Sequence, residues 1–281
     1  MPTNITFDPS LVTPWSLDLI NEEPYEYPFI AHYKLENKKL TYVAALHSYE
    51  MDSGTFRALR HVFETEDVEF AILEGLNNSD GISPDRIVDW ANKQRNEGQY
   101  KGFETAFAVT LADQRNVPFT GGEPDDIFVS SQLQSKGFSP TDYVFYGCLQ
   151  QIYQLQENQK ISGADPLSEF DGLMRRKTKS LGLAKIPAFS DFATWYFEKN
   201  GRPFAFSEIP SEVTAPFENG ELFTQRISSA VCGIRDRFVV ARVAHAMTQY
   251  DSVLVCFGGS HWSTQKRSLE AALGSPNFTK W

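Results

Sequence analysis

Five side chains of the kinds that bind metals and move protons are spread along this sequence: His47, Glu74, Glu123, Arg235 and His261. Two imidazoles together with carboxylates can hold a borderline or hard divalent metal ion and leave one position open for water. A carboxylate that is not a ligand can take the proton of that water, and an arginine can stabilise an oxyanion or bind a substrate carboxylate. We therefore assign His47, His261, Glu74 and Glu123 as candidate metal ligands and all five residues as candidate catalytic residues.

His261 follows a short apolar stretch, Val253 to Phe257, and Gly258 and Gly259 lie between the two. Five apolar residues in a row are typical of a short strand that is buried on both faces. In open α/β sheets ligands bind at the carboxyl ends of the strands, so His261 is predicted to lie at a functional edge. The alternative is an ordinary loop histidine that follows a strand.

Three further strand-like stretches end close to the other candidates. Residues 40–46 precede His47, residues 70–73 precede Glu74, and residues 117–120 precede Gly121, Gly122 and Glu123. Helical patterns separate these stretches, and alternating strands and helices favour right-handed βαβ units with a largely parallel sheet. Parallel strands end at the same edge, so the four side chains are expected to meet there. Residues 29–35 and 40–47 are expected to form a hairpin.

Arg235 is included in the candidate site because the length of the strand that precedes His261 can be compared with the length of the helix that carries Arg235. The strand over residues 253–259 rises about 20 Å, and a helix covers that rise in about 14 residues. Counting back from Gln249 along the predicted helix 227–249 places Arg235 level with His261. The apolar stripe of this helix is predicted to contain Ile227, Val231, Ile234, Phe238 and Ala241, with His245 as a core or edge histidine. The alternative for Arg235 is a surface ion pair with Asp236 or Glu221.

The predicted fold class is α/β, with a mainly parallel central sheet that is flanked by helices and interrupted by a helical insertion. We expect a single domain over residues 1–281. Residues 1–28 contain five prolines and are predicted to be an extended or partly disordered arm. Strand-like stretches stop between about 125 and 225, which predicts a helical insertion or lid. The basic run 175–179 within it favours a solvated helix face over an anion site. A last helix is expected to begin after Ser263 and to end at Gly274.

Composition narrows the class of protein. The net charge of −10 argues against nucleic acid as a partner, because phosphate binding needs a cationic face. Cys148, Cys232 and Cys256 lack CxxC spacing, which favours reduced, buried thiols. No apolar run reaches the about 18 residues of a membrane span, and no secretory signal pattern is found at the start, so a cytoplasmic protein is expected. Nucleotide-binding glycine motifs and a GxSxG nucleophile elbow are also missing from the sequence.

The ordered motifs resemble those of the superfamily that joins TraB/PrgY, Tiki, ChaN-like proteins and erythromycin esterases. Its members share two GxxH motifs, acidic residues and an arginine on the helix before the last motif. The resemblance covers roughly residues 29–124 and 220–274, and Ala44 stands where the first GxxH motif usually has glycine. The matching stretches are Ala44-Ala45-Leu46-His47, Ile72-Leu73-Glu74-Gly75, Gly122-Glu123-Pro124, Ile234-Arg235-Asp236-Arg237 and Gly258-Gly259-Ser260-His261.

This resemblance implies more than one function. Tiki-like members are metal-dependent proteases, erythromycin esterases hydrolyse a lactone with a histidine-activated water, and ChaN-like members bind haem. The leading expectation is a metal-assisted hydrolase that acts on an amide, peptide, ester or lactone bond of a small-molecule or peptide substrate. The alternatives are a haem or small-ligand binding protein without catalysis, and a biosynthetic enzyme of another class that uses the same site.

Overall fold

A computed structural model describes residues 5–22, 26–48, 50–77, 83–98, 100, 103–152, 165–206 and 211–281. The chain divides into two compact units. The first unit comprises residues 1–13, 17–125 and 235–281, and the second comprises residues 14–16 and 126–234. The prediction of a single domain with an insertion at about 125–225 stays a prediction, and each unit is described by itself.

The first unit contains a six-stranded sheet in the order β4-β3-β5-β2-β1-β6. Neighbouring strands from β4 to β2 are parallel, whereas β1 runs antiparallel to β2 and β6 antiparallel to β1. This confirms the α/β class with a mainly parallel sheet and the β1–β2 hairpin, while β6 was not predicted. The strands are β1 (Phe29–Leu35), β2 (Lys38–Ala45), β3 (Phe70–Asn77), β4 (Phe119–Glu123), β5 (Ser252–Gly258) and β6 (Asn277–Lys280).

Helices surround the sheet and make up the second unit. Two short 3₁₀ helices cover Pro9–Leu11 and Ser211–Thr214. The α-helices of the described residues are α1 (Leu17–Asn21), α2 (Gly54–Thr65), α3 (Pro84–Asn96), α4 (Phe103–Gln114), α5 (Asp126–Ser135), α6 (Pro140–Gln150), α7 (Pro166–Ser180), α8 (Phe189–Asn200), α9 (Phe223–Gln249) and α10 (Gly259–Leu273). None of them combines the length and apolar character that crossing a membrane requires.

The sheet is buried on both faces, and this explains why β5 is apolar at nearly every position. One face packs against α2, α3 and α4, with Phe56 and Leu59 in the core. The opposite face packs against the second part of α9 and against α10, with Val243 and Trp262 in the core. Every residue of β5 is buried. Burial on both faces is what a continuous apolar strand predicts.

The second unit contains helices and no strand among its described residues. Aromatic side chains such as Phe145, Phe170 and Phe192 form one of its cores. A second core contains Val129, Tyr146 and residues of the first part of α9. The predicted end of the strands after residue 125 agrees with this arrangement. The three cysteines are thiols that form no disulfide, and Cys148 lies buried in the first of these cores.

Helix α9 departs from its predicted apolar stripe. Ile227, Val231 and Ile234 are buried as expected, but Ala241 and His245 are exposed. Residues up to 234 belong to the second unit, and residues from 235 onward belong to the first. The buried face therefore changes along the helix, and Val239, Val240 and Val243 contact the sheet instead. Of the two places predicted for His245, the core or its edge, the core is wrong, because the residue is exposed.

The ends of two other segments also differ from prediction. Helix α10 begins at Gly259, so the expected start at Ser263 is wrong, and the buried Ser263 hydroxyl lies 2.8 Å from the hydroxyl of Tyr27. His261 consequently lies in the first turn of a helix rather than in a loop. In the N-terminal arm, Phe7 and Val12 are buried in the core that includes α10. Residues 5–13 of the arm are therefore part of the first unit, and Phe7 and Val12 pack into its core.

Candidate metal and catalytic site

The parallel strands bring their carboxyl ends to one edge of the sheet in the first unit. Ala45 of β2 pairs with Gly258 of β5, and Leu73 of β3 pairs with Cys256 of β5. His47 follows β2 by two residues, Glu74 lies within β3, Glu123 ends β4, and His261 lies just after β5. The strand register alone therefore gathers these side chains, as the carboxyl ends of parallel strands are expected to do.

Glu74 is the central residue of this edge. Its Oε1 atom lies 3.4 Å from Nε2 of His261 and 3.3 Å from Nη2 of Arg235. Its Oε2 atom accepts a hydrogen bond of 2.6 Å from the backbone N–H of Gly258. Glu74 is largely shielded from solvent, with 13% of its side chain exposed, and a carboxylate in such a place is stable only when it is paired and hydrogen-bonded. Two cationic partners and one amide meet that requirement for Glu74.

Arg235 holds Glu123 in a bidentate ion pair. Its Nε atom donates to Oε2 of Glu123 at 2.6 Å, and its Nη2 atom donates to Oε1 of the same carboxylate. Such paired contacts are the strongest that an arginine makes with a carboxylate. Both oxygens of Glu123 thus face the guanidinium, and Arg235 in turn links Glu123 to Glu74. Among the described residues, the ion pairs of Arg235 are with Glu74 and Glu123. The alternative, a surface ion pair with Asp236 or Glu221, is not among them, and Asp236 pairs with His261.

A second histidine–carboxylate pair joins His47 to Glu104, a residue that the sequence analysis did not select. Nδ1 of His47 lies 2.7 Å from Oε1 of Glu104. The His47 side chain is 52% exposed, whereas the Glu104 side chain is 2% exposed. Oε2 of Glu104 is buried and has no hydrogen-bond partner among the described residues. An unpartnered buried carboxylate oxygen calls for a cation or a donor that binds there.

The residues that fit a metal ion best are His47, Glu74 and Glu104. One ligand atom of each lies within 4.8 Å of the others. Gly258 leaves room beside them, because a Cβ atom at that position would lie 3.2 Å from Nε2 of His47 and 3.4 Å from Oε2 of Glu74. One imidazole and two carboxylates suit a borderline or hard divalent ion. The orphaned Glu104 oxygen is a further reason to conclude that this group can hold a metal.

His261 is held by a buried aspartate, Asp236, at 2.7 Å from Nδ1. Asp236 also accepts hydrogen bonds from the Thr264 hydroxyl at 2.8 Å and from the Gln265 amide at 2.7 Å. A histidine that donates its Nδ1–H to a carboxylate has a fixed ring orientation and tautomer. The Asp236 carboxylate therefore aims Nε2 of His261 at Glu74.

The protonation states follow from these contacts. The hydrogen bond to Glu104 raises the pKa of His47 to about 8. Burial opposes the charged form of His261, but Asp236 and Glu74 outweigh it and raise the pKa of His261 well above its ordinary value. Burial also opposes the charged form of Glu74, and His261, Arg235 and His47 nevertheless lower the pKa of Glu74. The carboxyl edge of the sheet thus brings cationic His47, His261 and Arg235 close to the anionic carboxylate of Glu74.

All five residues that the sequence analysis selected lie at this edge, but they divide into two groups. His47 and Glu74 belong to the compact group that fits a metal, together with Glu104. Glu123 pairs with Arg235, and His261 pairs with Asp236. The assignment of Glu123 and His261 as metal ligands stays a prediction, as do the five catalytic roles.

Glu104 and Asp236 were missed for different reasons. Glu104 is an acid in the first turn of α4, a helix in which most residues are buried and most of the buried ones are apolar. A helix that is apolar on all sides is buried, so an acid within it needs a partner, and this signal was present in the sequence. Asp236 lies between Arg235 and Arg237, and such a charged run resembles a solvated surface.

Comparisons with known proteins found no matching family model, no significantly similar curated protein and no significantly similar solved structure. The function is therefore inferred from the geometry of the site and from the sequence motifs. The geometry consists of two histidine–carboxylate pairs, one bidentate arginine–carboxylate pair and the half-buried Glu74, which contacts Arg235 and His261.

Proposed function

We propose that this protein is a metal-assisted hydrolase of an amide, peptide, ester or lactone bond, with its site at the carboxyl edge of the sheet. The observation that carries the proposal is the compact group of His47, Glu74 and Glu104, in which the buried Oε2 of Glu104 has no partner among the described residues. Three protein ligands with an open position are typical of catalytic metal sites, whereas structural sites are closed.

His47, Glu74 and Glu104 would hold the divalent ion. Bound there, it would polarise a carbonyl and lower the pKa of a water molecule. The His47 side chain is half exposed, so this group can be reached from solvent. Glu104 is buried beside it, and the hydrogen bond that Nδ1 of His47 donates to Glu104 fixes the His47 ring.

His261 is the candidate general acid of the proposed reaction. Its raised pKa keeps the imidazole protonated at neutral pH, because Asp236 and Glu74 both stabilise the charged form. Asp236 is the positioning residue that holds the ring. Arg235 is the candidate for stabilising a developing oxyanion, and its bidentate contact with Glu123 orients the guanidinium beside Glu74.

We also propose that the chain is a distant member of the superfamily that joins TraB/PrgY, Tiki, ChaN-like proteins and erythromycin esterases. What supports this is the convergence of its separate motifs. His47, Glu74, Glu123, Arg235 and His261 come from five stretches of sequence and lie at one sheet edge of the first unit. Convergence of separate short motifs on one site is a stronger argument than any one motif alone.

Turnover of a panel of fluorogenic peptides, a p-nitrophenyl ester and a lactone tests the hydrolase. We expect a chelator to abolish turnover and a divalent ion to restore it. His261→Asn should reduce turnover by about 10²–10⁴, the usual contribution of a general acid or base. His245→Asn is the matched control, because His245 is an exposed histidine of α9. Turnover that resists chelation, or equal turnover in the two variants, would contradict the proposal. A Soret band in the absorption spectrum of the purified protein would favour the haem-binding alternative.

A further inference from the structure

The second unit contains a cavity of about 680 Å³ that lies outside the site described above. Small-molecule sites typically have volumes of about 300–1,000 Å³. Its walls are residues 14–16, Arg202, Glu212, residues 217–222 and Gln225, all of which belong to the second unit. We call it the Arg202 cavity. Its walls combine aromatic rings, one cation and several carboxylates. The rings suit an apolar group of a ligand, the cation suits an anionic group, and the carboxylates suit a cationic group.

One wall of the Arg202 cavity is aromatic. The rings of Trp15 and Phe217 lie with their centroids 5.4 Å apart and their planes tilted by 58°. Both residues are half-buried, so part of each ring is accessible. Two tilted rings form a corner that fits a flat or bulky apolar group and excludes water from it.

The cation of the cavity is Arg202, and its side chain makes one hydrogen bond to the described residues. Its Nε atom donates to the hydroxyl of Tyr196 at 3.3 Å. Its Nη2 atom is buried and has no partner among the described residues. The guanidinium carries five N–H donors in a planar fork that matches a carboxylate. A buried donor without a partner is costly, so an anionic group of a ligand would satisfy it.

The cavity's carboxylates do not neutralise Arg202 by direct contact. Glu212, Glu218 and Glu221 line the cavity and are exposed to solvent. In the part of the chain that the structure describes, none of them forms an ion pair with Arg202. Positive and negative groups therefore line the same cavity without pairing. A ligand that carries both charges is complementary to such walls.

The loop that carries Phe217 and the glutamates is held by its own contacts. Arg226 donates to the backbone carbonyls of Gly220 and Glu221 at 2.9 and 3.0 Å. The Gln225 side chain accepts from the backbone N–H of Leu222 at 3.1 Å and donates to the carbonyl of Glu212 at 2.9 Å. These contacts fix the positions of the cavity walls, and a preformed wall lowers the ordering cost of binding.

We propose that the Arg202 cavity binds a small zwitterion with an apolar body. The ligand's carboxylate pairs with Arg202, its ammonium group faces the glutamates, and its apolar group fills the corner between Trp15 and Phe217. This is the chemistry of an aromatic amino acid or of a short peptide that ends in one. The proposal is independent of the hydrolase, because it involves none of the residues at the sheet edge.

Isothermal titration calorimetry of the full-length protein tests this with four probes: phenylalanine, phenylalaninamide, N-acetylphenylalanine and Gly-Gly-Phe. We expect phenylalanine or Gly-Gly-Phe to bind with a stoichiometry of one. Loss of the carboxylate or of the ammonium group should weaken the binding of phenylalanine by about tenfold or more, since each removes a charge-assisted contact. Binding of phenylalanine identifies a free amino acid as the ligand, and binding of Gly-Gly-Phe alone identifies a peptide.

Arg202→Gln should abolish binding, and Arg202→Lys should weaken it, because lysine keeps the charge without the planar fork. Arg175→Gln is the matched control, since Arg175 is an exposed arginine of α7 in the same unit. Circular dichroism melting curves establish that each variant is folded. The proposal would be overturned if neither zwitterion binds at millimolar concentration, if phenylalaninamide binds as tightly as phenylalanine, or if Arg202→Gln binds like Arg175→Gln.

Discussion

At the scale of single residues, the edge of the sheet is organised by the charge of Glu74. The side chain of this carboxylate is 13% exposed, and it contacts Arg235, His261 and the backbone of Gly258. Burial by itself disfavours a charged carboxylate, whereas the surrounding cations favour it, and the cations prevail. Removing the carboxylate would leave Arg235 paired with Glu123 and His261 paired with Asp236, but the Gly258 N–H would lose its acceptor and both cations would lose the carboxylate that they share.

Glu74→Gln is expected to destabilise the protein by about 1–3 kcal/mol, because it weakens the hydrogen bonds that the Gly258 N–H and the Arg235 guanidinium donate to a charged, largely buried carboxylate. Urea denaturation followed by circular dichroism measures the change in the free energy of unfolding. Glu64→Gln is the control, since Glu64 is an exposed residue of α2 and surface substitutions change stability by only about 0.5 kcal/mol. Equal stability of the two variants would contradict the central position of Glu74.

Metal affinity at the proposed site should depend on pH through His47. Its pKa is raised to about 8, so the ring is protonated at neutral pH, and a metal ion binds only the neutral imidazole. The affinity should therefore fall about tenfold for each pH unit below about 8. Calorimetry in buffers of different ionisation enthalpy should show the release of a proton on zinc binding at pH 7. Binding without proton release at pH 7 would mean that His47 is not a ligand.

At the scale of helices and strands, the periodicity of apolar residues in the sequence predicted which elements form better than it predicted where they begin and end. The apolar run of β5 and the alternation of strands with helices predicted the parallel sheet, because both patterns follow from burial on two faces. The start of α10 was not predicted, since glycine at the cap position carries no side-chain signal. The stripe of α9 was predicted only in part, because the helix buries different faces along its length.

A polar contact that connects three helices of the second unit should be sensitive to substitution. Asp126 of α5 accepts from Tyr143 of α6 at 2.7 Å and from Lys177 and Ser180 of α7 at 3.0 and 2.7 Å. Asp126→Asn should cost about 1–3 kcal/mol of stability near neutral pH, the usual range for hydrogen bonds to a charged group. Asp171→Asn, at an exposed position of α7, is the control.

The pH dependence of this effect has a definite sign. Burial opposes ionisation of Asp126, but the Lys177 ammonium and the hydrogen bonds from Tyr143 and Ser180 outweigh it and lower the pKa of the carboxyl. A lowered pKa stabilises the folded state above the ordinary pKa of 3.8, and this stabilisation is lost as the pH falls below that value. The difference between wild type and Asp126→Asn should accordingly narrow below about pH 4. A constant difference down to pH 3 would show that the charge is not its source.

At the scale of the whole molecule, topology made much of the site predictable. Four parallel strands end together, so residues that follow them in sequence are neighbours in space, and His47, Glu74, Glu123 and His261 could be found in this way. Strand topology does not place Glu104 and Asp236, because they lie on helices whose faces are determined by tertiary packing, and only Glu104, an acid in a mostly apolar helix, left a separate signal in the sequence. These two carboxylates nevertheless fix both histidines.

The metal content of Glu104→Gln and Glu123→Gln tests the central claim most directly. Untagged protein is dialysed against zinc, and the bound ion is measured by mass spectrometry in wild type and in both variants. We predict one ion per chain in wild type and in Glu123→Gln, because both oxygens of Glu123 face Arg235, and almost none in Glu104→Gln. Full occupancy in a folded Glu104→Gln variant would contradict the assignment of His47, Glu74 and Glu104 as the metal group.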